Sequence, residues 1–137
     1  MRHDPELVAE THEWLVRAGR DLVAAAHDLT AEPPLLHDVA FHAQQAAEKT
    51  FKGFLTWHGR PFRKTHNLEE LGQQCVEVEP ELKATVDRAV PLTDYAWKFR
   101  YPGDPDEPSR DEAEGALAIA RELFDMILRR LPKDVAP

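Results

Sequence analysis

Cysteine is nearly absent. Cys75 is the only one in 137 residues, which excludes an internal disulfide and a thiolate metal cluster and fits a reducing compartment. Glycine is scarce as well, with six residues and no cluster. Neither G-x-x-x-x-G-K-[ST] nor G-x-G-x-x-G occurs, so a backbone loop that cradles phosphate is excluded. Serine occurs once, at Ser109, a position better explained as a helix cap than as a nucleophile. No run approaches the roughly 18 to 20 apolar residues that a membrane helix needs. The opening MRHDPELVAE lacks the apolar core of a signal peptide, so a cytoplasmic chain with no membrane contact is expected. Basic residues are outnumbered, 17 Lys and Arg against 25 Asp and Glu, for a net charge of −8. That balance argues against a nucleic acid wrapped over the whole surface, while a local basic patch stays open.

What is present is ordinary for a globular chain: 42% hydrophobic and 31% charged residues. The length sets the expectation of one domain over residues 1–137, with its core at about 6–131. Eleven prolines punctuate the chain, and between them apolar residues recur at three and four, the period of a helix. A first helix over about Glu6 to Thr30 buries Leu15, Ala18, Leu22, Ala25 and Leu29, with Glu13, Arg17, Arg20 and Asp21 on or near the polar side. A second, about Leu35 to His58, draws a stripe through Leu36, Ala40, Ala43, Ala47, Phe51 and Phe54, and Gly59 supplies its C-terminal stop. Asn67 and Glu70 predict a capping box for a short helix carrying Leu68, Leu71 and Cys75 inward. Pro80 opens a further helix with Leu82, Val86 and Val90, which Pro91 is expected to kink or break. Residues 101–108 read as a loop, and Ser109 with Glu112 predicts a second capping box. The last helix carries Ala113, Ala116, Leu117, Ala120, Leu123 or Phe124, Ile127 and Leu131. The fold class is therefore all-α, an up-and-down bundle of four or five helices.

Chemistry-bearing residues are sparse. The seven histidines contain no pair at i, i+3 or i, i+4, the spacing that aims two helix-borne ligands at one metal; no metal site and no cofactor are expected. Cys75 on an apolar helix side reads as a buried structural thiol. From Lys49 to His66 there are five bases (Lys49, Lys52, Arg60, Arg63 and Lys64) and no acid, with Trp57 and Phe62 nearby. This stretch suits phosphate with a stacked base, or else complements the C-terminal dipole of the second helix. On that helix His42, Gln45, Lys49 and Lys52 follow one another at three, four and three, beside the pair Gln44 and Glu48. Such a stripe is either a solvated face or a polar helix–helix seam in a dimer.

The string Phe41-His42-Ala43-Gln44-Gln45-Ala46-Ala47-Glu48-Lys49, followed by Lys52, Leu55, Gly59 and Thr65-His66-Asn67-Leu68, resembles the HEPN domain family. Trp14-Leu15 with Ala18 and Asp21-Leu22 resembles that family's first helix, and Arg100-Tyr101-Pro102 the segment before its last; the match spans about residues 11 to 128. The resemblance implies a small helical bundle, commonly a homodimer, working beside a nucleotidyltransferase partner in a toxin–antitoxin-type pair. It also implies nucleotide or RNA as ligand. Some members are metal-independent ribonucleases with an R-x4-6-H motif near the start of the last helix, in which arginine stabilises phosphoryl charge and histidine exchanges protons. Here Arg100 stands where that arginine is expected, but no histidine follows His66. Arg60 and His66 satisfy R-x5-H in the loop after the second helix. The expectation is thus a dimerising module, non-catalytic or weakly catalytic, with nucleotide or RNA binding at Lys49, Lys52, Arg60, Arg63 and Lys64 and a polar or dimer seam at His42, Gln45 and Glu48. The rival readings are a ribonuclease toxin using Arg100 or Arg60 with His66, and a purely structural helical assembly module.

Overall fold

The computed structural model describes residues 3–99, 101–103 and 107–137. Asp4 opens α1 (Pro5–Leu29) by accepting the Glu6 amide, with Pro5 in the first helical position, where its missing N–H costs nothing. After a short turn comes α2 (Leu36–Trp57). Its end is a Schellman motif: the Arg60 amide donates to Leu55 O at 2.9 Å and the Gly59 amide to Thr56 O at 3.1 Å. Gly59 takes φ +66°, which glycine adopts without a Cβ penalty.

Asn67 caps α3 (Leu68–Val78) by accepting the Glu69 and Glu70 amides at 2.9 and 3.2 Å. The expected capping box is only half made there. The Glu70 carboxylate turns to the Arg63 guanidinium at 2.8 Å, and the Asn67 amide donates instead to Thr65 Oγ1 at 3.1 Å. A charged donor is the stronger partner for a carboxylate, so it displaces the reciprocal cap bond.

A 3₁₀ turn, Pro80–Leu82, leads into the short α4 (Lys83–Ala89), and a second 3₁₀ segment, Val90–Ala96, follows. The α-helix therefore ends at Ala89 and tightens to 3₁₀ from the residue before Pro91, the break expected there. The capping box of Ser109 and Glu112 is complete at the start of α5 (Arg110–Leu128). The chain then ends in a 3₁₀ turn, Lys133–Val135, that buries Val135 against α1, where His12 Nδ1 meets Val135 O at 3.1 Å.

All described elements are helical. The two long helices α1 and α2 form an antiparallel hairpin, and α5 packs against both, most extensively on α2; α3 and α4 close the remaining side. The expected stripes are the buried ones: Leu15, Ala18 and Ala25 on α1, Ala43, Ala47, Phe51 and Phe54 on α2, and Ala113, Ala120, Leu123 and Ile127 on α5 are all fully inaccessible. Alanines dominate where helices approach most closely. Gly53 lies at such a point, since a Cβ there would stand 3.1 Å from Leu15 Cδ2 and 3.2 Å from Trp14 Cβ. Cys75 is buried, its thiol 3.8 Å from Phe51 O, and burial holds the thiol far above its ordinary pKa, in its inert form.

Candidate functional site

The polar stripe of α2 finds hydrogen-bond partners within the chain. It faces α1 and the loop after α2 within the same chain. Asp21, placed on or near the polar side of α1 by sequence reasoning, is buried between the two helices. One of its oxygens lies 2.8 Å from His42 Nδ1 and the other 2.6 Å from Lys49 Nζ. The sequence signal for this contact was weak, because its partners lie 21 and 28 residues away.

On the same helix, Glu48 is the hub of a second network. It accepts Lys52 Nζ at 2.9 Å on one oxygen and His66 Nδ1 at 2.7 Å on the other. Gln44 Nε2 spans 3.4 Å to Glu48 and 3.1 Å to His66 O, and Gln45 Nε2 donates to Gln44 Oε1 at 2.7 Å. A carboxylate only accepts, so Nδ1 of His66 carries the proton in this contact. The His66 side chain is 64% exposed, whereas those of Lys52 and Glu48 are 8% and 5%.

The five bases of the expected patch differ in their surroundings. Lys52 belongs to the interior: its ammonium is neutralised by Glu48 and lies 5.5 Å from the Trp14 ring centroid and 5.9 Å from that of Phe62. A lysine can be buried there because a carboxylate one turn away and two aromatic faces replace its water. Lys49 is held by Asp21. Arg63 is exposed but tied to Glu70, and Arg60 stands 3.7 Å from Glu77. Lys64 is the one member of the five without a partner among the described residues. Trp57 and Phe62 do not form an open pair for a base either, since Trp57 meets the His3 ring edge-on at 4.8 Å and Phe62 meets Trp14 at 6.2 Å.

The loop 60–66 runs as a strap antiparallel to α3. Arg60 lies beside Glu77, Gln74 Nε2 donates to Pro61 O at 2.8 Å, and Arg63 lies beside Glu70. The strap therefore carries Arg60 to the C-terminal end of α3 and His66 to its N-terminal end, roughly 14 Å apart along the helix at ~1.5 Å per residue. Each is held by a different carboxylate, Glu77 and Glu48. The R-x5-H spacing does not bring them to one point. Arg100, the other candidate arginine, lies outside the described residues.

Among the described residues, no group of three or more His, Cys, Asp or Glu side chains is placed to hold a metal ion, and no helix is long and apolar enough to cross a membrane. An antiparallel helical hairpin closed by α5, with a histidine-bearing strap clamped onto a buried glutamate, makes a small all-α module. A family model described as the HEPN domain matches residues 11–131, and the chain belongs to that family. Searches of curated proteins and of solved structures each return no match.

Proposed function

We propose that this chain is a non-catalytic or weakly catalytic HEPN module of a toxin–antitoxin-type pair. It dimerises, works beside a nucleotidyltransferase-type partner in the cytoplasm, and takes nucleotide or RNA as its ligand. One observation carries the reading: Arg60 and His66 sit at opposite ends of α3 on separate carboxylates, and no histidine follows His66 to pair with Arg100. A phosphoryl-stabilising cation and a proton-transferring imidazole must reach the same phosphodiester, and hydrogen-bond reach is about 3 Å. In this reading the polar networks on Asp21 and Glu48 hold the bundle together, and the assembly itself is the product.

A second reading, a metal-independent ribonuclease, is favoured by the Glu48–His66 pair. A buried carboxylate on Nδ1 fixes the tautomer and orientation of the ring, as a general base requires. The deciding experiment is cleavage of labelled transfer RNA in excess chelator by wild type, Arg100→Ala and His66→Ala. Intact RNA at high protein concentration is the expected result. Cleavage that either substitution abolishes overturns the module reading in favour of the ribonuclease.

A further inference from the structure

The strap over residues 60–66 is tied to the bundle almost wholly by side-chain tips. None of its residues is fully buried, and Phe62 is the hydrophobic side chain it packs against the core. Among the described residues, the backbone of 61–66 makes no hydrogen bond to other backbone. A depression of about 670 Å³ lies between the strap and α3, and another of about 490 Å³ between the strap and the start of α1. Three ionic contacts hold it down: Arg63 on Glu70 at 2.8 Å, Arg60 beside Glu77 at 3.7 Å, and His66 on Glu48 at 2.7 Å. The amides of Gln74 and Gln44 add bonds to two of its carbonyls. Both arginine pairs are open to solvent, where an ion pair adds little and salt screens it.

Behind this lightly tied segment lie two charges that have left water, Lys52 and Glu48. The Lys52 ammonium is covered by two rings, that of Trp14 from α1 at 5.5 Å and that of Phe62 from the strap at 5.9 Å, which meet each other at 6.2 Å. Trp14 is fixed to the hairpin, since its Cβ packs against Gly53. Phe62 and His66 both belong to the strap. One movement of the strap therefore removes an aromatic wall from Lys52 and a hydrogen bond from Glu48 together. The movement also returns both charges to water, which recovers the hydration that burial had removed.

We propose that the strap is an ionic lid that lifts from α3 while the helices stay folded, and that its lifting brings Lys52 into solvent. Its two ends are anchored in the bundle. At one, the Gly59 and Arg60 amides are bonded to the last turn of α2. At the other, Asn67 caps α3 and Leu68 is fully buried. Between these anchors the strap breaks no backbone ladder and exposes one partly buried ring when it moves, which is the character of a segment that opens locally. A phosphate reaches Lys52 only with the lid lifted, so nucleotide or RNA binding at Lys52, on the module reading, depends on that movement. The lid itself does not rest on that reading.

The test is acetylation of the full chain with N-acetoxysuccinimide, read at each lysine by peptide mass spectrometry. Lys83, with a side chain 68% exposed, is the reference for an open amine. Lys52 is expected to label far more slowly than Lys83, yet roughly tenfold faster than the global unfolding measured by urea in the same buffer allows. Arg63→Ala removes the shorter of the two exposed ties. It should speed Lys52 labelling several-fold with no matching loss of global stability, and about 0.5 M sodium chloride should do the same. Phe62→Ala should speed it further, and if that variant does not fold, Arg63→Ala and salt carry the test. Labelling of Lys52 that follows global unfolding in every sample, that neither Arg63→Ala nor salt changes, or that matches Lys83 in the wild type would each overturn the lid. RNA cleavage in the transfer RNA assay refutes the module reading and leaves the lid standing, whereas any of these labelling results refutes the lid alone.

Discussion

Glu48 and Lys52, one turn apart on α2, form an ion pair of 2.9 Å with both side chains almost fully withdrawn from water. His66 and Gln44 use the other Glu48 oxygen, so both carboxylate oxygens are hydrogen-bonded. Such a pair adds little stability over a well-packed apolar one, but removing one member strands the other without solvent.

Lys52→Ala is accordingly expected to destabilise the fold by about 3–5 kcal/mol, because the buried Glu48 carboxylate loses its cation. The combined change Glu48→Gln with Lys52→Met should cost less than the sum of the two single changes. Urea denaturation of the three variants measures this directly. Strict additivity would show that the pair is not coupled in solution.

Gly72 marks the closest approach of α3 to α4, since a Cβ there would stand 2.5 Å from Val86 Cγ1. Alanine would gain about 1 kcal/mol of helix propensity over glycine, but forcing Val86 aside costs about 1–3 kcal/mol in a packed core. Gly72→Ala should therefore fail to stabilise the chain on its own. In a Val86→Ala background the obstruction is gone and the same substitution should become favourable. A double-mutant cycle by thermal or urea melting reads the sign change, and an identical effect in both backgrounds refutes the contact.

His58 ends α2 with its ring tilted on Phe54 at 4.5 Å. Its pKa lies below the ordinary 6.5, chiefly because partial burial disfavours the charged ring; Glu79 opposes this and Arg60 reinforces it. The folded state thus binds this proton less readily than the unfolded state. The His58 contribution is fully present above pH 6.5 and is lost as pH falls through the lowered folded value. His58→Gln should flatten the stability profile on the acid side of 6.5 relative to wild type, and parallel profiles would show that His58 is not the group responsible.

Much of the fold follows from local rules that the chain states openly. The helical period separates core from surface on α1, α2 and α5, Gly59 stops α2, and Ser109 with Glu112 starts α5, because each depends on residues within one or two turns. The Asn67 box shows where local rules give way: Glu70 has a choice between a neighbouring amide and the Arg63 guanidinium, and only the path of the strap puts that guanidinium within 2.8 Å.

The candidate site was less legible for the same reason. Periodicity marks Asp21, His42, Lys49 and Lys52 as polar, but whether a charge can leave water depends on a counter-charge contributed from elsewhere. Asp21 can be buried because α1 and α2 pack antiparallel in a register that sets it opposite both His42 and Lys49. Spacing likewise permitted Arg60 and His66 to act together, and the strap along α3 separates them. Local pattern alone marked the long helices, their buried faces and the family. Tertiary packing decided which charges are partnered, and so which are left for a ligand.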